Sequence, residues 1–489
     1  MYASVLSVAL VGGDARLVQV EAHVGGTTNA FKLSGLPDTA LREAKDRVRA
    51  AINSSGIEFP RRELTINLAP ADLKKRGSDY DLPIAICVLA AARHIPRLPR
   101  VVMAGELSLD GKVRRGGSSL GVSVMSARLG IPCLVSGEHA AEVALVPGSE
   151  VHPVETLADA VDALSTGMNR LPLEPESPTT DTGSVPDLVD VRGQAMAKRA
   201  LEIAAAGGHH ILFHGPPGGG KTMLARRLPG ILPPLDDHGS IEVALIRSNA
   251  GLGDSISSIP PFRAPHHTAT RAALVGGGTG LPTPGEISLA HRGVLFLDEL
   301  AEFPRTHLDA LRQPLEEGKV MISRQGASLE FPAGFQLIGA TNPCPCGYWG
   351  DRRKPCRCPE SARQRYRQRI SGPMFDRFDL AVHVKRVAGS EYQGVGGEST
   401  GAVAERVVAA REVQHARGCI NRDLSDRDLS RLSISEPGQA LLIRSLESGA
   451  VTARGTGRIR RVAQTLADLE GISAGEEHVA EALSLRGSW

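Results

Sequence analysis

The segment HILFHGPPGGGKTMLARRL (210–228) constrains the fold of this chain more than any other. An apolar run enters Gly215-Pro216-Pro217-Gly218-Gly219-Gly220-Lys221-Thr222, and a run with helical spacing leaves it at once. Glycines let backbone N–H groups approach a bound group closely, and a helix N-terminus attracts negative charge. The spacing G-x-x-x-x-G-K-[ST], in this strand–loop–helix setting, is that of a phosphate-binding loop. Lys221 would reach the β- and γ-phosphates of a nucleoside triphosphate, and Thr222 would ligate Mg²⁺.

A second motif supports the first. GVLFLDEL (293–300) is an apolar strand ending in two acids. Alone it reads as a solvated turn. Downstream of a phosphate loop, Asp298 would hold Mg²⁺ and Glu299 would orient an attacking water. Residues 189–388 alternate strand-like and helix-like segments, which predicts a parallel sheet covered on both faces.

The remainder divides by composition. Residues 1–170 read as a mixed α/β unit, with strands at 17–24 and 63–70 and a helix over 37–56. A buried helix is expected over 81–93, and a hairpin over 103–115 turning at Asp110-Gly111. Residues 171–188 are dense in Pro, Ser and Thr and predict a linker; 389–401 is a glycine-rich break; 402–489 is helical. The longest apolar run, Leu82 to Ala92, contains Pro83 and is too short to span a bilayer. The N-terminus lacks the basic start of a signal peptide. Four of seven cysteines cluster, which is no secreted disulfide framework, so a cytoplasmic protein is expected.

Charge and aromatic content exclude some functions. With 56 Lys+Arg against 54 Asp+Glu the chain is no basic coat protein. Its 10 Phe, 5 Tyr and 2 Trp are far too few for a chain that grips nucleic acid by stacking, so an aromatic stacking platform is not expected.

GPPGGGKT, GVLFLDEL, ATNPCPCG (340–347) and SGPMFDRFD (371–379) together resemble AAA+ ATPases of the magnesium-chelatase-like group. FRAPHHTATRAALVGGG (262–278) and PGEISLAHRG (284–293) are similar to the ComM/YifB family, over essentially the whole chain. The resemblance implies an ATP- and Mg²⁺-dependent core with a helical lid, assembled as a homo-oligomeric, hexameric ring. It implies Asn342 as sensor 1, Arg377 as an arginine finger acting on a neighbour's ATP, and Arg461 as sensor 2, with Arg458 and Arg454 close by. It points to DNA as the substrate, through a helicase or branch-migration activity in recombination of incoming DNA. A chelatase-like or chaperone-like remodeller of a protein partner is the alternative.

Two insertions bear on that choice. EGKVMISRQGASLEFPAGFQ (317–336) reads as a hairpin, and related rings project such a hairpin into the pore; Lys319 and Arg324 would then touch polymer phosphates. FRAPHHTATR would supply Arg263, His266, His267 and Arg271. Packing between subunits is the other reading of both. Cys344-x-Cys346 and Cys356-x-Cys358 could converge on a structural Zn²⁺, or remain reduced thiols. Residues 351–369 around them hold eight bases against two acids.

KKRGSDYDLPIAICVLAA and GEL…GKVRRGG resemble the S5-like proteolytic domain of Lon-type proteases. Asp79 stands where the nucleophilic serine would be, and the partner lysine would fall near Val122. Peptide cleavage is not expected without a base to activate a hydroxyl; a binding or regulatory module, open to a protein partner, is.

Overall fold

Alternating apolar and polar residues build the first sheet. Strand β1 (Tyr2–Val11) pairs antiparallel with β2 (Asp14–Gly25) from Tyr2 opposite His23 to Val11 opposite Asp14. Gly12 and Gly13 turn the chain between them at φ of 66° and 86°, which β-carbon-bearing residues resist. Next come β3 (Phe31–Ser34), β4 (Glu63–Ala69) and β5 (Val102–Met103). A separate ribbon of β6 (Glu106–Leu107) and β7 (Val113–Arg114) turns through Asp110 and Gly111, as the pattern predicts. With β8 (Cys133–Ser136) and β9 (Val151–Val154) the sheet runs β3-β4-β2-β1-β5-β8-β9. Helices Ala44–Ser54 and Asp81–Ala91 bury Val48, Ile52, Leu82 and Ile86 against Val18, Val20 and Ile66. Helix Ser119–Leu129 covers the other face with Leu120 and Val122.

This computed structural model describes residues 1–487 except 27, 29, 37, 39, 40, 42, 76, 169–171, 175–184, 279, 280, 325, 326, 352, 388 and 390–395; the side chains of Arg324 and Ala327 are also outside the description. The start of the helix expected over 37–56 and most of the expected linker fall on those residues.

The second sheet uses β10 (Ile211–His214), β11 (Phe262–Arg263), β14 (Val294–Leu297), β17 (Gln336–Thr341) and β18 (Leu380–His383), in the order β11-β14-β17-β10-β18. Every pairing is parallel. Successive residues face opposite layers. Ile211, Phe213, Phe296 and Ile338 pack under helix Ala195–Gly207, while Leu212, Leu295, Leu297 and Leu337 pack on Ile287, Leu308 and Met374. Burial on both faces explains why these strands read as unbroken apolar runs. Two insertions interrupt the pattern: the ribbon β12 (Gly276–Gly277) with β13 (Thr283–Pro284), and the hairpin β15 (Lys319–Arg324) with β16 (Ala327–Pro332).

Five helices between Thr400 and Ser484 follow. Val403, Val407, Ile459, Val462 and Leu466 seat this lid on helix Ala195–Gly207. The first sheet rests on the insertions of the second. Ala244 and Leu245 of helix Asp237–Asn249 enter its core, and Ser248 Oγ donates to Gly117 O at 2.6 Å. A β-carbon at Gly12 would lie 2.5 Å from Glu330 O in β16. No helix among the described residues is long and apolar enough to cross a membrane.

Candidate nucleotide site

Parallel strands deliver their following loops to one sheet edge, and there the motifs meet. The phosphate loop leaves β10, and helix Lys221–Ala225 begins directly behind it. Gly215 cannot be replaced: a β-carbon there would sit 2.1 Å from Val384 O. Gly218 and Gly220 adopt φ of 76° and 94°.

Lys221 is buried, and its Nζ donates to Gly215 O (2.7 Å), Pro216 O (3.0 Å) and Asn342 Oδ1 (3.2 Å). Burial lowers its pKa to about 8, against the pull of Asp298. Thr222 Oγ1 donates to Asp298 Oδ2 at 2.7 Å, bridging the helix start and the end of β14. Two adjacent hard oxygens at the mouth of a phosphate loop fit an Mg²⁺ held with substrate phosphates. Beside Lys221, burial followed by the charges of His383 and Lys221 lowers His214 to about 4, so this imidazole adds no charge at neutral pH.

Glu299 leaves β14 with φ 51°, a conformation a non-glycine residue holds only at some cost. Its half-exposed carboxylate meets His267 Nδ1 at 3.2 Å. The His267 ring lies tilted by 34° against that of exposed His266, with centroids 4.1 Å apart. Arg263, expected in the same insertion, lies instead in β11 of the parallel sheet and donates twice to Glu286, at 2.6 and 2.7 Å. Lys319 pairs across its hairpin with Glu330 at 2.9 Å. Arg324 ends β15, and its side chain lies outside the described residues.

Arg377 and Arg461 stand apart from this cluster. Arg377 is buried, paired with Glu316 and bonded to Pro373 O at 3.4 Å. Arg461 Nε donates to Leu424 O at 2.8 Å, and its Nη2 lies 3.7 Å from Asp426, both within the lid. The neighbouring Arg458 instead bridges lid and core, reaching Asp379 Oδ1 at 2.9 Å and Arg377 O at 3.0 Å.

Gln194 was not singled out from the sequence. It precedes helix Ala195–Gly207 at φ 55°, and its Nε2 donates to Gly219 O (2.9 Å) and Lys385 O (2.5 Å), tying the phosphate loop to the end of β18. The only signal was Gly193-Gln194 before a helix, which carries no chemistry by itself.

The four cysteines do converge. Cys344, Cys346 and Cys356 place their sulfurs 3.4 to 3.6 Å apart, and all four ligand atoms, Cys358 included, lie within 4.8 Å of one another. Tetrahedral Zn–S bonds of about 2.3 Å separate sulfurs by roughly 3.8 Å, so the cluster fits that metal. In the first sheet, Asp79 is buried and accepts from Ser118 Oγ at 2.5 Å, and Val122 lies in apolar core. Neither is placed to form a protease dyad.

Residues 187–392 match the family described as magnesium chelatase, subunit ChlI. Residues 20–136 match subunit ChlI of Mg-chelatase, and 397–486 its C-terminal family. Competence protein ComM of Haemophilus influenzae is 42% identical over 498 residues, covering 99% of this chain and 97% of its own. Protein YifB of Escherichia coli, described as uncharacterized, is 40% identical over 98% of this chain and 96% of its own. Two partial likenesses accompany them. Lon protease 2 of Bacillus subtilis is 30% identical over 32% of each chain, and the magnesium-chelatase 67 kDa subunit of Heliobacterium mobile is 30% identical over 32% of this chain and 28% of its own. With an AAA+ core, a helical lid and a Lon-like first domain, this chain belongs to the ComM/YifB family of magnesium-chelatase-like ATPases.

Proposed function

We propose that this protein is an ATP-driven, hexameric ring motor acting on DNA, a helicase or branch-migration factor in homologous recombination of incoming DNA. The observation that carries the ATPase half is the convergence of Lys221, Thr222, Asp298 and Asn342 on one sheet edge. The DNA half rests on near-full-length similarity to a protein named for competence.

In this reading Gly215 to Gly220 cradle the phosphates, Lys221 balances their charge, and Thr222 and Asp298 hold Mg²⁺, which supplies electrostatic stabilisation to the transferring group. Glu299 positions water, and Asn342 reports on the terminal phosphate through Lys221. Arg377 serves the neighbouring subunit, exchanging Glu316 for phosphate on assembly. The cysteine cluster holds a structural Zn²⁺ that cross-links the loop behind Asn342.

Strand-displacement and branch-migration assays with purified protein test the reading, with Lys221→Ala as the control. An ATPase indifferent to single-stranded and branched DNA would sink it. The likeness to a magnesium-chelatase subunit supports a second reading, remodelling of a protein partner. ATPase stimulation by a protein bound through residues 1–170, with none by DNA, would decide for it.

A further inference from the structure

Scarce aromatics can still be concentrated. The chain has 5 Tyr and 2 Trp, and Tyr348, Trp349 and Tyr366 fall close together around the cysteine loop. Each carries cations on its ring. Lys354 Nζ lies 4.1 Å and the Arg386 guanidinium 5.4 Å from the Tyr348 centroid. Arg367 and Arg363 lie 4.2 and 5.7 Å from Trp349, and Arg369 lies 5.7 Å from Tyr366. Tyr366 is buried, but Trp349 is 41% exposed.

The acids nearby do not balance the bases. Asp351 takes Arg386, Glu360 takes Arg363, and Glu302 takes Arg369. Among the described residues, Arg353, Lys354, Arg357, Arg365 and Arg367 make no ion pair. An exposed indole beside uncompensated cations suits an anionic polymer whose bases are unpaired, because every base offers a π-face and every phosphate a charge. An aliphatic protein surface would leave those cations unmatched.

The platform is firmly rooted. Cys344, Cys346, Cys356 and Cys358 draw its two ends together. Gly347, two residues before Trp349, packs so closely on the phosphate loop that a β-carbon would lie 2.8 Å from Pro217.

We propose that Trp349, braced by Arg367, is a stacking platform for unpaired bases of single-stranded nucleic acid, and that Arg353, Lys354, Arg357 and Arg365 hold the flanking phosphates. The proposal rests on the DNA-motor reading and adds a contact site outside the two insertions.

Trp489 is the second tryptophan of the chain, so full-length Trp489→Phe leaves Trp349 as the sole indole. Titration with a fluorescently silent oligothymidylate should quench its emission saturably, less so as salt rises. The same sequence annealed into duplex should quench it far less. With a labelled oligothymidylate, Trp349→Ala should bind roughly 10-fold more weakly, the order expected for losing one stacked base. Trp349→Phe should recover most of that affinity, and duplex affinity should stay within about 2-fold. If the parent chain binds single strands and Trp349→Ala binds them equally, the platform is refuted while the motor reading stands. If the parent binds neither single strands nor duplex, the motor reading falls with it. Quenching that follows protein concentration or added nucleotide without DNA would place Trp349 against a neighbouring copy or at the nucleotide instead, overturning the proposal.

Discussion

His267 Nδ1 lies 3.2 Å from Glu299 Oε2, so a residue of the segment that follows β11 holds the carboxylate at the tip of the acidic strand. Glu299 sits at φ 51° while so held. Polymer drawn to that segment would compete for His267 and free the carboxylate. His267→Ala should therefore raise the DNA-independent ATPase rate by up to about 5-fold, the equivalent of about 1 kcal/mol for a part-exposed pair. Stimulation by DNA should shrink correspondingly. A basal rate that stays level or falls would show that His267 does not restrain Glu299.

Lys221 gives a pH prediction with a defined sign. Burial lowers its pKa from 10.5 to about 8, so the free protein sheds this proton as pH rises through about 8. Phosphates facing the ammonium favour the protonated form. Nucleotide affinity should be level below pH 8 and weaken above it, with net proton uptake on binding at pH 9. Calorimetry in buffers of different ionisation enthalpy measures that uptake. In stability, the folded chain binds fewer protons than the unfolded chain between about pH 8 and 10.5, so this lysine disfavours folding less as pH rises through that window.

Substituting Arg377 should separate assembly from hydrolysis if it is the finger proposed above. Arg377→Ala should still bind nucleotide yet hydrolyse about 10³-fold more slowly, the smaller end of what a finger in trans supplies. Doping the variant into wild-type protein should depress activity more steeply than its mole fraction. Linear dilution, or normal hydrolysis by Arg377→Ala monomers, would mean the arginine only neutralises Glu316.

Glu299→Gln and Lys221→Ala should fail differently. Glu299→Gln keeps the phosphate loop and should bind ATP, trapping the assembled form in size-exclusion runs. Lys221→Ala removes the ammonium bonded to Gly215, Pro216 and Asn342 and should lose nucleotide binding. Equal nucleotide affinities for the two would contradict the roles given to them.

The cysteine cluster predicts one Zn²⁺ per chain by elemental analysis of the purified protein. Cys356→Ser should lose the metal and lower the melting temperature, as should a strong chelator. A metal-free wild-type protein of unchanged stability would leave the four thiols as a reduced cluster.

Lys221, Thr222 and Asp298 could be singled out from the sequence because each belongs to a contiguous motif, and Asn342 through the family resemblance; the fold brings the four to one sheet edge. A phosphate cradle needs glycines, a lysine and a hydroxyl at one spacing, and the strand behind it must be apolar to lie buried on both faces. The paired C-x-C spacing likewise raised a metal cluster, although only the fold draws the two pairs together.

Gln194 under the phosphate loop, His267 on Glu299, Arg377 on Glu316 and Trp349 among its arginines carried no such local signal. Aromatic scarcity argued against any stacking platform; the proposed one rests instead on the arginines that the structure gathers around the exposed Trp349. The sequence by itself determined the nucleotide chemistry, the parallel α/β core and the helical lid, since these depend on residue types at short, regular spacing. Only the tertiary structure decided which residue holds Glu299 and which cations share Trp349. His267 and Glu299 follow neighbouring strands of the sheet, while Trp349 meets Arg363 and Arg367 of helix Glu360–Arg367, and no short, regular spacing specifies either contact.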